Sequence, residues 1–339
     1  MQSRIFLHTE FRYPLIVSLL LLGSLLLPAA AGADPLHSHN LHPLYAPLIQ
    51  FQARSAAIRP PNSLELTFLQ SYGNNFFLDT AEGGDSDIVA ELDSEAASAT
   101  IAAQWGLVPQ IELNVSVTAA AHFPGVLDGF LQWYHGLFGF PNADRELRPD
   151  SQLYFYLENS SEVILDERRS LFTLSALQIE PRWLLYSESD TRLSVGTPLK
   201  LPLRLTEHPL GNGGVDAALR FYFDYDLPPV YFSASLGAAY LSRPAYLPAN
   251  TFAPLVFPFF LSSEWALRPN NSALLTVSGT TSPFRTGYKR ADKFSSTLNF
   301  GGRFSLGAAD TLQLSMSQEF ITFAATDVSL HFEWAHTLE

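Results

Sequence analysis

The sequence contains no cysteine. That excludes disulfide scaffolds, thiolate zinc sites, iron–sulfur clusters and cysteine nucleophiles. It also excludes an anchor built on a lipidated cysteine. Positive charge is scarce, with 20 Lys and Arg against 33 Asp and Glu and a net charge of −13. Nucleic acid is therefore excluded as a partner, because proteins that bind it present basic stripes. Beyond the N-terminus no apolar run reaches the roughly 20 residues that a membrane helix needs. The signatures of common catalytic sites are missing as well. There is no G-x-S-x-G elbow, no H-E-x-x-H, no P-loop and no complete G-x-G-x-x-G. Gly211-Asn212-Gly213-Gly214 is a loop that opens no helix. No catalytic, cofactor-binding or metal-binding residue is assigned, and no cofactor is expected.

What the chain has is alternation. Between Lys293 and Ala335, the residues Phe294, Ser296, Leu298, Phe300, Gly302, Phe304 and Leu306 share one face of an extended strand. Ser295, Thr297, Asn299, Gly301, Arg303 and Ser305 share the other. The period is two, which means strand and not helix. After a reversal at Gly307–Asp310 the pattern resumes through Leu312, Leu314 and Met316, and again through Val328, Leu330, Phe332 and Trp334. Repeated in long consecutive strands, an apolar face backed by a polar one predicts an antiparallel barrel with lipid outside and water inside. The fold class expected is all-β, a transmembrane barrel of about 12 strands, with 14 as the alternative. The partners this implies are outer-membrane lipid and the outer-membrane assembly machinery; the oligomeric state is not legible.

The N-terminus reads differently. Arg4 and Arg12 precede the apolar run Leu15–Leu27, and Pro28 leads into Ala29-Ala30-Ala31-Gly32-Ala33. A positive start, a short apolar run and small residues at a cleavage site predict a secretory signal peptide over residues 1–33. Residues 34–62 are rich in Pro and His without a sustained period, and read as a periplasmic lead-in packed against the barrel end. Its His37, His39 and His42 lack a carboxylate or thiolate at fixed spacing, so the segment reads as a polar terminus rather than a metal site. The barrel is expected over residues 63–339.

Loop lengths constrain the strand count by parity. Outer-membrane barrels have short periplasmic turns and longer external loops. Short breaks fall at 106–109, 187–190, 227–229, 269–272 and 307–310, and long ones at 73–94, 206–214, 242–254 and 283–292. They alternate. An odd number of spanning strands must then lie between Ala121 and Ser187, and one strand gives twelve. Pro198 and Pro202 each remove a ladder donor, so a bulge or a poorly paired stretch is expected there.

Residues 122–170 form one long external excursion. Within it Val126, Leu127, Phe130, Tyr134, Leu137 and Phe138 recur at helical spacing. A helix over Val126–Phe140 is expected, either plugging the external mouth or lying in the membrane interface. In the plug reading Asp128 and His135 face the lumen, and Arg145 pairs with Asp128 or a lumen carboxylate. The inward register also carries Arg204, Arg220, Arg303, Glu319 and His331 among charges of both signs. These either pair across the lumen and close it or line a hydrated path.

Several stretches are similar to the Gram-negative family known as domain of unknown function 3187. They are Asn40-x-x-Pro43-Leu44, Leu127-Asp128, His135-x-x-Phe138-Gly139, Arg145, Glu319-Phe320 and Asp327-Val328. The resemblance implies an outer-membrane barrel and no particular activity. Barrels of this type often end on an aromatic residue, whereas here Trp334 is followed by five further residues. Three function classes remain open: a passive channel or small-solute transporter, an outer-membrane enzyme acting on lipid or glycan with His331 or His135 as base, and a structural barrel with a closed lumen.

Overall fold

The computed structural model describes residues 34–80, 88–139, 145, 148–159, 162–203, 211, 213–288, 290–320 and 325–338. The expected signal peptide and Arg204 lie outside the described residues. Twelve antiparallel staves close into one barrel. In chain order they are β1 (Leu64–Thr80), β2 (Ile88–Val108), β3 (Ile111–Phe123), β6 (Leu171–Glu188), the broken stave β7 (Thr191–Gly196) plus β8 (Leu199–Pro202), β9 (Asp216–Leu227) and β10 (Val230–Tyr240). Then come β12 (Pro258–Arg268), β13 (Asn271–Thr280), β14 (Ser295–Ser305), β15 (Asp310–Glu319) and β16 (Val328–Leu338). β1 closes the ring by pairing with both β2 and β16. The stave interrupted at Thr197-Pro198 is the one whose prolines predicted a break.

One end of the barrel carries short turns, between β2 and β3, β6 and β7, β9 and β10, β12 and β13, and β14 and β15. The other carries the long connections. These are called the turn end and the loop end. The connection from β3 to β6 holds helix α1 (Asp128–Phe138) and a hairpin, β4 (Tyr154–Asn159) and β5 (Glu162–Glu167). β4 pairs with the loop end of β2, through Ala90↔Leu157 to Asp93↔Tyr154. The remaining strand, β11 (Leu255–Val256), pairs with β10.

The alternation sorts the side chains as the sequence predicts. Ile101, Leu236, Leu261, Leu314 and Leu330 are exposed on the outside, while Glu112, Asn114, Glu180, Asp224, Glu264 and Asn299 are buried inside. Trp105, Trp183, Trp265 and Trp334 lie on the outward face near the turn end, and Tyr72, Phe172, Tyr240 and Phe257 near the loop end. Leu64 pairs with Trp105 and Tyr72 with Ala97 on the same ladder. Eight residues at about 3.4 Å each, tilted by about 40°, put the aromatic rings roughly 20 Å apart in height. That approaches the apolar band of about 25 Å between the aromatic girdles of membrane barrels.

Candidate functional site

The lumen is occupied. Residues 34–60 run inside the barrel as a two-limbed hairpin, not against its end. The expectation of a periplasmic lead-in packed on the rim is corrected to this extent. Asp34 starts in the turn-end half of the lumen, where Arg303 approaches its carboxylate at 3.4 Å and Glu264 accepts from its backbone N–H at 3.3 Å. His37 Nδ1 lies 2.6 Å from Glu333, and His39 Nδ1 3.1 Å from Ser98 Oγ. The Leu41 amide donates to Thr326 Oγ1 at 2.8 Å, at the loop end. This is the ascending limb.

The tip turns through residues 42–48. Leu44, Tyr45, Leu48 and Ile49 are buried in a cluster with Phe77, Leu92, Leu153, Phe155, Leu241, Phe252 and Phe284. Burying each such side chain is worth about 1.5–3 kcal/mol, so the tip is held at the loop-end mouth by apolar contact. Burial pushes the hydroxyls of Tyr246 and Tyr288, in the loops around it, well above the usual tyrosine range.

The descending limb is held by charge and backbone. Asp216 accepts from the Ile49 amide at 2.9 Å, and Lys200 donates to Pro47 O at 2.7 Å and to Asp216 at 2.9 Å. Arg220 donates to Gln52 O at 2.8 Å and to Ser235 Oγ at 2.6 Å, with its guanidinium 4.9 Å from the Tyr222 ring centre. Arg54 lies 3.6 Å from Glu180. Asp224 accepts from Ser55 Oγ at 2.6 Å, the Ala56 amide at 2.9 Å and the Ala57 amide at 3.3 Å. Arg182 donates to the carbonyls of Ser55 and Ala57 while pairing with Glu112 at 3.2 Å. At the turn end Glu112 accepts from the Arg59 amide at 2.8 Å, and Arg59 pairs with Glu65. Pro60 O then crosses Gly106 so closely that a Cβ there would lie 1.9 Å from it.

The inward charges therefore pair with neighbours on the wall and with the hairpin. Buried polar groups need such partners, because an unmet one costs about 1–3 kcal/mol. The two limbs differ in kind. The descending limb meets Arg, Lys, Asp and Glu on β3 and β6–β9. The ascending limb meets many hydroxyls and amides, and voids of about 60 and 80 Å³ flank the hairpin. The first is lined by Thr67, Ser98, Thr100, Gln104, Ser116 and Thr118, among others. Each has room for a few waters.

The expected site residues divide. Arg220, Arg303 and His331 are buried in the lumen. His331 bridges Ser71 Oγ at 2.7 Å and Ser317 Oγ at 2.8 Å, so both ring nitrogens are used in tying β1 to β15 and β16. Glu319 sits at the loop end and accepts from the Ala325 amide at 2.8 Å. Asp128, His135 and Arg145 do not reach the lumen. They are buried on the outside of the wall, against the outward face of β1 and β2. Asn74 Nδ2 donates to Asp128 at 3.1 Å, and Arg145 bridges Asp128, at 2.6 Å, and Asp327 with its guanidinium 4.6 Å above the Phe76 ring. The plug reading of α1 is thus overturned by alternation itself. Phe77 faces the hairpin, so Asn74 and Phe76 face out. The pairing expected between Arg145 and Asp128 is present, outside the wall.

Several residues that carry the family resemblance, Asn40, Asp128, Arg145, Glu319 and Asp327, meet around one loop. Thr326 Oγ1 lies 3.3 Å from Asn40 Oδ1 inside, while the next residue, Asp327, pairs with Arg145 outside. Burial pushes the Asp327 carboxyl up to about 6, against the opposing pull of Arg145. A sequence model of the family matches residues 25–337. The chain belongs to the family described as "Protein of unknown function (DUF3187)". No match was found among curated proteins. Among solved structures the barrel is similar to the COG4313 outer membrane channel from Pseudomonas putida F1, with a TM-score of 0.55 at 10% identity over 83% of this chain and 97% of that one. It is also similar to the NanC porin, with a TM-score of 0.43 at 7% identity over 80% and 99% of the two chains. The Ralstonia pickettii toluene transporter TbuX gives 0.41 at 10% identity over 82% and 90%. At these identities the likeness is one of fold.

The lumen hairpin is the feature that reading by period missed. A signal was present nonetheless: residues 35–53 contain no Lys, Arg, Asp or Glu. A solvated terminus rarely goes so long without charge.

Proposed function

We propose that this protein is an outer-membrane barrel that passes small polar solutes when the hairpin of residues 34–60 leaves the lumen, and is shut while the hairpin is seated. The observation that carries this reading is the chemistry of the filling. A barrel that only needs to be closed fills its interior with its own inward side chains. Here a separate segment fills it, anchored by hydrogen bonds and ion pairs to a wall that is mostly polar from the turn end up to the apolar cluster at the loop-end mouth. Remove the segment and the wall left behind is hydrophilic over most of its height, with an apolar collar at the loop-end mouth. Both limbs reach the turn end, so the hairpin withdraws from one side without being threaded. The match to outer-membrane channel folds supports the barrel and the membrane.

Conductance in planar bilayers tests the reading. The intact chain is compared with one cut by a protease at a site inserted between Asn62 and Ser63, so that the hairpin is detachable from a barrel already folded. Detachment is expected to convert a poorly conducting barrel into a steadily conducting one. A detached barrel that still resists heating in detergent, has released the hairpin and carries no current would overturn the proposal and favour a closed structural barrel. The enzyme reading finds no support in the described residues. His331 spends both nitrogens on serines deep in a filled lumen, with no carboxylate to orient it.

A further inference from the structure

Helix α1 is docked with the reverse of the usual polarity. A helix on a sheet ordinarily turns its apolar stripe to the sheet and its polar face to water. Here the buried face is Asp128, Leu131 and His135, and the outward stripe is Val126, Phe130, Trp133 and Leu137, with 81, 51, 61 and 61% of their surface exposed. The wall beneath explains the inversion. It offers Asn74, Glu95 and Tyr72 on the outward faces of β1 and β2. Glu95 accepts from the amides of Val126 and Leu127 and from the Tyr72 hydroxyl, fixing the start of the helix. The Asp128 carboxylate accepts from Asn74, Arg145 and the Ser151 amide.

The height of the helix is set by the same bonds. Glu95 pairs with Asn74 on β1 and with Phe123 on β3. That is the level of the aromatic girdle at the loop end, marked by Tyr72. Leu330 and Phe332, on the strand adjoining β1, continue the apolar surface downward. The outward face of α1 is therefore an upward extension of the lipid-facing band, at the depth where it passes into head groups. Phe130 lies 5.7 Å from Trp133 and 6.2 Å from Tyr134, ring centre to ring centre, so the stripe is largely aromatic, as membrane-interface surfaces are.

We propose that this face of α1 is inserted into the outer leaflet where acyl chains pass into head groups, making the helix a lipid-contacting flange fixed to the barrel's outer wall. The proposal rests on the membrane reading above, but not on the hairpin's role. Because the chain has no cysteine, a single one can be introduced and spin-labelled without other changes. Trp133→Cys and Leu137→Cys are labelled in folded protein reconstituted into phosphatidylcholine vesicles. Leu330→Cys on the outward face of β16 serves as the lipid reference and Arg169→Cys, at an exposed side chain, as the aqueous one. Relaxation by oxygen and by a water-soluble nickel chelate is compared. Both helix labels are expected to match Leu330→Cys, with an oxygen-to-nickel ratio several-fold above that of Arg169→Cys. Helix labels that match Arg169→Cys while Leu330→Cys reads lipid would overturn the proposal. Spectral broadening at the helix that vanishes on dilution with unlabelled protein would overturn it in favour of a second copy. If Leu330→Cys itself reads water, the membrane reading falls, a separate result.

Discussion

Removing the Asp224 carboxylate should loosen the hairpin while leaving the barrel intact. Asp224 is fully buried and accepts from Ser55 Oγ, the Ala56 amide and, at 3.3 Å, the Ala57 amide. Hydrogen bonds to a charged acceptor are worth about 1.5–3 kcal/mol each. The third is long, and water can enter the space vacated in Asp224→Ala. A net loss of about 3 kcal/mol is a reasonable balance, equivalent to roughly a 150-fold rise in the unseated fraction. The wall loses the bond from Ser233 Oγ to Asp224 at 2.8 Å, but Arg192 keeps Asp226 at 2.6 Å, so no cation is stranded. The assay uses Gln52→Cys, on the descending limb, and a maleimide too bulky for the filled lumen. When reseating is fast, the labelling rate tracks the unseated fraction. Asp224→Ala is expected to raise that rate about a hundredfold, with heat resistance in detergent unchanged. A rise of less than about threefold, equivalent to under 1 kcal/mol, would refute the assignment of Asp224 as an anchor.

Other consequences concern the two ends of the barrel. Arg145→Ala leaves the carboxylates of Asp128 and Asp327 without their cation, which costs about 3–5 kcal/mol for a buried pair; proteases should nick residues 124–151 rapidly in a barrel that stays folded. Asp327, raised to about 6, binds its proton more tightly in the folded state than in the unfolded chain, so the clasp outside the wall should tighten as pH falls through 6 toward 4 and loosen on the way back. Nicking normalised to a denatured reference should be slower at pH 5 than at pH 8, and Asp327→Asn should reduce that slope; the opposite slope would show the sign to be wrong. Gly106→Ala sets a methyl against Pro60 O, so residues 59–60 must shift and the bond from Asn62 N–H to Gly106 O must stretch. Overpacking of this kind costs about 1–3 kcal/mol or more, and Gln52→Cys labelling should rise in this variant too.

Most of the barrel was legible because its rule is local. A period of two sorts each residue in or out without reference to any other part of the chain, and loop parity then narrows the count to twelve or fourteen staves, of which the structure has twelve. Pro198 and Pro202 even located the broken stave. The hairpin was illegible by that rule because it has no period. Its order comes from partners far away in sequence, as with Asp216 for Ile49 and Glu333 for His37. For α1 the spacing located a helix, expected over Val126–Phe140 and found over Asp128–Phe138, but assigned its apolar stripe to burial in a mouth or at an interface without distinguishing them. The decision lay in Asn74 and Glu95, outward polar residues on other strands. Periodicity shows that a face is apolar; it does not show which solvent that face meets.

The hairpin's shape gives its two limbs different mechanical strength. Tension applied at Asp34 along the barrel axis, from the turn end, loads the ascending limb from its N-terminal side. The contacts at Arg303, Glu333, Ser98 and Thr326 then carry it in shear, with no covalent tie between this limb and the wall beside it. The descending limb continues into β1 and is clamped where it does so, by Glu65, Glu112 and the crossing at Gly106. A pull on Arg59 from the same side stops at that clamp. The barrel thus yields to a force on one strand of the loop and resists it on the other.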